Sequence, residues 1–397
     1  DVALGLFGCI IGREVEDYQS IKEHACRVAN GTAELYKTLA KESNSEGQYL
    51  QAIQYYENAV EKGYDAAKAS YNCSFLYLLS GAFEKGWKAY ENRWHSPKVK
   101  FFQWRHVDLP FWENQDIRGK KLLIWAEQGI GDEIMFASQL PHIAKQCEVY
   151  ITCDQRLEGW FQHSLDVHVL KGARNNPSEV INKLGVSFDY QLAMGSLPLK
   201  TGLGYHQHVA PVAAYLKADF EHVKRLKSFL KERFPNKIYV GVCWVRNTKY
   251  YGSNTQINPD ETLLKQLNRK HIQLVNLQVK MDKDKLLDIK QRLGVDIYAF
   301  EDIDLFSDFQ STAALTKALD YVVAVPQTIV HVAGSVGAKV LLLLRQPCKW
   351  RWSPTLLDRS LWYPHPQFTI LRAPLKASLD GVIAQAISMV EDQKDNF

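Results

Sequence analysis

The stretch Glu127-Gln128-Gly129-Ile130-Gly131-Asp132 follows an apolar run and opens a helical pattern. Glycines at Gly129 and Gly131 let backbone amides face a ligand at a helix start. A carboxylate there, Asp132, at the carboxyl end of a first strand, is placed to accept a proton from an incoming hydroxyl. A second such turn is Ala324-Val325-Pro326-Gln327-Thr328-Ile329-Val330-His331-Val332-Ala333-Gly334. Its amides at 327–329 are expected to be free donors, suited with the helix dipole to a diphosphate. Trp244, Arg246, Asn247 and Lys249 follow another strand-like run, and Arg345, Lys349, Trp350 and Arg351 follow the last strong one. Basic and aromatic residues at strand ends of an open α/β sheet sit where such sheets bind ligands. The blander alternatives are a dipole-satisfying acid at Asp132, a packed helix residue at His331 and solvated loop charge for the basic residues.

These residues need a scaffold with strands ending in one cleft. Lys121–Ala126 and Glu148–Cys153 read as buried strands, with weaker ones near Val167 and Phe188. A Lys-rich helix is expected around 217–233, ending at Phe234-Pro235-Asn236. The pattern then restarts at Ile238–Trp244, Ile272–Gln278, Val295–Tyr298, Tyr321–Val325 and Val340–Leu344, strand-length runs separated by helical stretches. The expectation is α/β: two doubly wound units, 119–235 and 236–397, facing a cleft.

Residues 1–96 read instead as all-helical, joined to the rest by a linker over 97–118 that carries Trp104, Pro110 and Trp112. A 34-residue period pairs Gly47, Ala52, Tyr56 and Ala59 with Gly81, Gly86, Tyr90 and Arg93. Small residues where two helices approach, with a ring between them, are what stacked helical hairpins need. Ser43-x-x-Glu46 is expected to cap the first of these helices, and Ala25 marks a weaker third copy.

The 397 residues suit two to four domains. With 46% hydrophobic and 23% charged residues the chain is neither disordered nor a coiled-coil rod. A net charge of +4 is too small to imply nucleic acid. Seven cysteines without a Cys-x-x-Cys pair predict a reduced compartment, taken as the cytoplasm, and no structural zinc. No apolar run is long enough for a membrane span, and the apolar start lacks the basic region of a leader. Ile134 stands where a dinucleotide fingerprint needs its third glycine, which argues against a nicotinamide or flavin enzyme. Ten tryptophans divide by place. Trp87, Trp94, Trp104 and Trp112 are expected to seat the helices on the first α/β half, and Trp244, Trp350, Trp352 and Trp362 to gather beside the cleft.

The repeat, Gly81–Trp94, Trp125–Phe136, Asp308–Ala313, His331–Gly334, Trp350–Trp352 and Trp362–Pro364 occur in an order that covers nearly the whole chain. It resembles the bacterial tetratricopeptide-repeat proteins whose second part is similar to heptosyltransferases of glycosyltransferase family 9. The resemblance implies a GT-B fold and metal-independent, inverting transfer of a sugar from a nucleotide-diphosphate donor to a hydroxyl, with no cofactor. It implies Asp132 as general base and donor contacts at Gln310, Gln327, Thr328 and His331, to which the strand-end position adds Trp244, Arg246, Asn247 and Lys249 as expected donor contacts. Gln128, Gly129, Gly131, Trp350 and Arg351 are expected to line the acceptor side or the cleft. The implied partners are a nucleotide sugar and a protein or glycan acceptor docked by the repeats; homo-oligomer formation is left open. Two departures stand out: Pro326 replaces the family aspartate and removes an amide donor, and Asn254-Thr255-Gln256-Ile257 stands where many relatives carry Arg-Ser. The alternative from another class is a non-catalytic scaffold whose repeats recruit a partner and whose GT-B half is degenerate.

Overall fold

The computed structural model describes residues 2–11, 17–95, 108–174, 177–205, 213–245, 261–356 and 358–392. Helices α1 (Val2–Ile10), α2 (Tyr18–Val28), α3 (Ala33–Ser45), α4 (Tyr49–Glu61), α5 (Ala66–Leu79) and α6 (Phe83–Tyr90) come first, closed by a 3-10 turn over Glu91–His95. Thr32 and Asp65 start α3 and α5 by accepting the amides of Leu35 and Lys68 at 3.2 and 2.9 Å. Each such cap contributes about 1 kcal/mol.

The 34-residue period recurs in the backbone. Gly47 and Gly81 both turn the chain with positive φ, 72° and 82°. Tyr56 and Tyr90 are both buried, as are Ala59, Arg93 and Ala25. A Cβ at Gly86 would meet Leu78 Cδ2 at 2.7 Å, so α5 and α6 approach too closely there for any side chain. The Ser43/Glu46 cap is a misreading: Ser43 lies in the last turn of α3, and Glu46 is that helix's C-cap. The left-handed Gly47 ends α3, and the Gln48 N–H reaches back to the Ser43 carbonyl at 2.8 Å.

The rest forms two parallel sheets. The first has β1 (Lys121–Trp125), β2 (Glu148–Ile151), β3 (His168–Val169) and β4 (Tyr190–Ala193) in the order β3-β2-β1-β4. With it go α7 (Ile130–Ala137), α8 (Leu140–Ala144), α9 (Glu158–Ser164), α10 (Pro177–Leu184) and α11 (Leu197–Thr201). After α12 (Phe220–Arg233), the second sheet takes the order β10-β9-β8-β5-β6-β7. Its strands are β5 (Ile238–Cys243), β6 (Ile272–Asn276), β7 (Ile297–Tyr298), β8 (Tyr321–Ala324), β9 (Val340–Gln346) and β10 (Phe368–Leu375). Its helices are α13 (Glu261–Leu267), α14 (Lys283–Leu293), α15 (Phe309–Ala318), α16 (Thr328–Ser335) and α17 (Asp380–Glu391). Strands buried on both faces are mostly apolar, and β5, β6 and β8 are buried at every position, with Gln273 and Asn276 the polar exceptions in β6. The expected α/β class, two parallel sheets behind a helical layer, is what the chain forms; β10 is an addition to the expected strands.

The described part of the segment before β1 is held by the first sheet. Gln191 in β4 donates its amide to the Pro110 carbonyl and accepts the Trp112 amide, both at 2.9 Å. Trp104 lies outside the described residues. No helix of the described residues is long and apolar enough to cross a membrane.

One apolar core joins all three layers. Trp87 donates Nε1–H to the Leu203 carbonyl at 2.9 Å, and Trp94 lies 5.4 Å from Trp125. Trp350 was expected beside an open cleft. Its ring instead packs against Phe75 and Tyr90 of the helical layer and Phe136 of α7, at centroid distances of 6.1, 5.8 and 6.3 Å.

Candidate functional site

The carboxyl ends of β1 and β8 lead into α7 and α16, and the first turns of these two helices pack against each other. A Cβ on Gly131 would stand 3.2 Å from His331 Cδ2 and 3.4 Å from Thr328 Oγ1, so glycine is what allows the two first turns to touch. Segment 213–218 ties the halves together: the Leu216 amide donates to the Ser335 carbonyl at 3.1 Å, and the Tyr215 hydroxyl to the Ile134 carbonyl at 2.5 Å.

Asp132 sits in the first turn of α7, nearly buried. Its Oδ2 accepts the Gly129 amide at 3.3 Å. Its Oδ1 accepts Arg351 Nε–H at 2.6 Å, and Nη2 of the same arginine completes an ion pair. Arg351 belongs to the 3-10 turn Trp350–Trp352, lies over the Trp350 ring at 4.7 Å, and has its carbonyl held by Trp362 Nε1–H at 3.1 Å. Each carboxylate oxygen has two lone pairs, so Asp132 keeps acceptor capacity beyond these bonds.

His331 is buried within α16. Its Nδ1 lies 2.7 Å from the Tyr363 hydroxyl, and its ring stacks on Trp352 at 5.3 Å. Burial pushes the imidazole down to about 4, with Asp132 raising it and Arg351 lowering it. Gln327 precedes α16 in an extended conformation and makes no side-chain cap; its amide side chain donates to the Val245 carbonyl at 2.6 Å. The first-turn amides of α16 therefore lack a side-chain cap, the condition an anion needs at a helix start.

The structure thus brings together Gly129, Gly131, Asp132, Thr328, His331 and Arg351. Gln128 joins them at positive φ, 67°. Its carbonyl accepts Arg174 Nη2 at 3.0 Å and its Nε2 donates to the Tyr90 hydroxyl at 3.3 Å. Trp244 is not available to a ligand: at 2% exposure it is part of the core on the far face of the second sheet. Gln310 is exposed on the first turn of α15, where Asp308 caps the helix through the Ser311 amide. Arg246, Asn247 and Lys249 lie outside the described residues, as does the 254–257 stretch. Among the described residues no group of three His, Cys, Asp or Glu side chains gathers as metal ligands.

Sequence reasoning passed over the supports of this site. Glu133, next to Asp132, is sealed from solvent, accepting the Asp154 amide at 2.7 Å and Arg174 Nε–H at 2.8 Å. Burial pushes its carboxyl up to about 7 against the pull of Arg174. Glu127 is buried against Arg93. Acidic residues flanking a glycine turn were the only signal, and nothing local distinguishes a buried acid from a solvated one.

Glu133 and His331 carry opposite pH dependences. A carboxyl raised from 4.5 to about 7 binds its proton more tightly folded than unfolded, so its contribution is present below pH 4.5 and lost as pH rises to about 7. An imidazole lowered from 6.5 to about 4 contributes above pH 6.5 and loses this as pH falls to about 4. Glu133→Gln removes the first of these. The variant is expected to lose stability more steeply than the parent on acidification from pH 6.5 to about 4, read as urea midpoints. Parallel pH curves for the two proteins would refute the assignment.

No family model matches the chain. Protein FlbA of Caulobacter vibrioides is 27% identical over 319 residues, covering 76% of this chain and 51% of that protein, so the chain spans about half the length of this curated relative. Among solved structures, a glycosyl transferase family 9 protein from Veillonella parvula DSM 2008 superposes with a TM-score of 0.50 at 10% identity, covering 72% of this chain and 98% of that one. ADP-heptose lps heptosyltransferase II of E. coli has a TM-score of 0.48 at 13% identity, covering 69% and 99%. At such identity the Veillonella likeness is one of fold: two Rossmann-like units in GT-B arrangement, here behind an all-helical layer.

Proposed function

We propose that the chain is a glycosyltransferase that moves a sugar from a nucleotide-diphosphate donor to a hydroxyl of a protein or glycan acceptor. The observation that carries this reading is the apposition of the α7 first turn, which bears Asp132, with the uncapped first turn of α16, two helix starts at touching distance. In the reaction the acceptor oxygen attacks the anomeric carbon from the face opposite the leaving group. The bond from that carbon to the diphosphate breaks, and its electron pair leaves on the phosphate oxygen. The hydroxyl proton passes to the Asp132 carboxylate. The α16 amides, with Thr328 beside them, would bind the diphosphate as its charge develops. The helical layer, with its tetratricopeptide-like period, would present the acceptor. No metal or cofactor enters this scheme.

A second reading is favoured by a specific observation: Arg351 already occupies Asp132, and Pro326 stands where the resemblance calls for an aspartate. In that reading the GT-B half is a non-catalytic scaffold.

Calorimetric titration with UDP-, GDP-, ADP- and dTDP-linked sugars separates the two. At least one donor is expected to bind with a Kd in the range of about 1 µM–1 mM. No binding by any of them to folded protein would overturn the transferase reading in favour of the scaffold.

A further inference from the structure

Arg93 is the residue that the 34-residue period leaves unexplained. It takes the slot of Ala59, where two helices need something small, yet it is 0% exposed. All five of its N–H donors are used within the protein. Nε and Nη2 grip Glu127 Oε2 and Oε1 at 2.9 and 2.8 Å. Nη2 also reaches Ser196 Oγ at 2.7 Å, and Nη1 reaches Glu91 Oε1 at 2.7 Å and the Tyr90 carbonyl at 3.3 Å. The guanidinium also lies over the Trp94 ring at 4.0 Å and the Tyr90 ring at 4.7 Å. Glu127 is equally spoken for, since its Oε1 also accepts the Gly195 amide at 2.7 Å.

Such a pair has little to recommend it as a source of stability, because a buried ion pair replaced by well-packed apolar residues is often neutral or better. A bidentate grip does fix orientation. Glu127 is the first residue of the turn that ends at Asp132, and the next residue, Gln128, is held to the same helical layer through Tyr90. Chemistry at Asp132 depends on placement, because a misplacement of about 1 Å costs on the order of 100-fold in rate.

We propose that Arg93 is a positioning residue for sugar transfer: through Glu127, the helical layer sets the conformation of the turn that presents Asp132. This rests on the reading of Asp132 as the base. The helical layer is then a structural part of the active site in addition to presenting the acceptor.

The test uses the full chain and reads hydrogen–deuterium exchange by mass spectrometry, which does not depend on activity. Arg93→Lys keeps the charge and loses the fork. The expected result is amide exchange across residues 128–133 faster by about tenfold, with Thr328–Ser335 unchanged. Should Arg93→Lys fail to fold, the double variant Arg93→Met/Glu127→Gln removes both charges and is expected to loosen the same turn. Unchanged exchange over 128–133 in a folded variant, or an equal rise in both segments, would overturn the proposal. Where the parent transfers sugar from one of the UDP-, GDP-, ADP- or dTDP-linked donors, Arg93→Lys is expected to lower kcat by about 100-fold at unchanged donor KM. A fall in donor affinity instead would also count against it. A parent inactive with every donor defeats the transferase reading alone, since the exchange comparison still decides whether Arg93 clamps the turn.

Discussion

Asp132→Asn is expected to lower sugar transfer by about 10²–10⁴-fold while nucleotide affinity stays within about threefold, the range that a positioned general base contributes. That loss corresponds to about 3–5 kcal/mol of transition-state stabilisation. Asparagine keeps the volume, and its Oδ1 can still accept Arg351, so the joint between α7 and the Trp350–Trp352 turn is largely retained. The arginine keeps this acceptor and is part-exposed, so the substitution does not leave a sealed, unpaired charge. What asparagine cannot do is take the proton that the acceptor hydroxyl must lose. Single-turnover kinetics alongside calorimetry with the same donor separate the two effects. Turnover equal to the parent's would sink Asp132 as the base. Lost nucleotide binding would mean that the residue serves the donor.

Trp87→Ala is expected to destabilise the protein by about 3–5 kcal/mol, the usual cost of truncating a large buried ring. Trp87 is 1% exposed. It meets Tyr90, Trp350 and Trp362 edge to face at 6.1, 5.8 and 5.9 Å, a geometry that adds to area burial. Its Nε1–H bond to Leu203 adds a link to the first α/β half. Because its partners belong to different layers, the cavity falls where the three meet. Leu50→Ala, at a site 75% exposed, is the control and is expected to change stability by less than about 0.5 kcal/mol. Urea unfolding of the three proteins makes the comparison, and a Trp87→Ala midpoint matching that of Leu50→Ala would refute the role of this ring as the joint.

Much of the fold could be read along the chain because parallel strands advertise themselves. Runs such as 122–125 and Tyr321–Ala324 are apolar on both faces, which few other local structures require. β10 escaped notice because Arg372 and Pro374 interrupt it near a sheet edge, where neither is penalised. The Ser43/Glu46 pair misled because a capping box and the polar last turn of a helix share composition, and Gly47 decides between them.

The same division runs through the site. Asp132, His331 and Arg351 each stood out from their strand-end positions, since backbone grammar places strand ends and helix starts locally. Their pairing did not. Asp132 meets Arg351 across 219 residues, and Arg93 meets Glu127 across two separately patterned regions. Trp244 and Trp350 looked alike in sequence, yet one fills the core of a sheet and the other joins three layers. By itself the sequence determined the elements, their order and the residue types at each strand end, because these follow from periodicity and turn chemistry within a few residues. Only the tertiary structure decided which charges are buried against each other, because that depends on which faces dock and how closely their shapes allow distant side chains to approach.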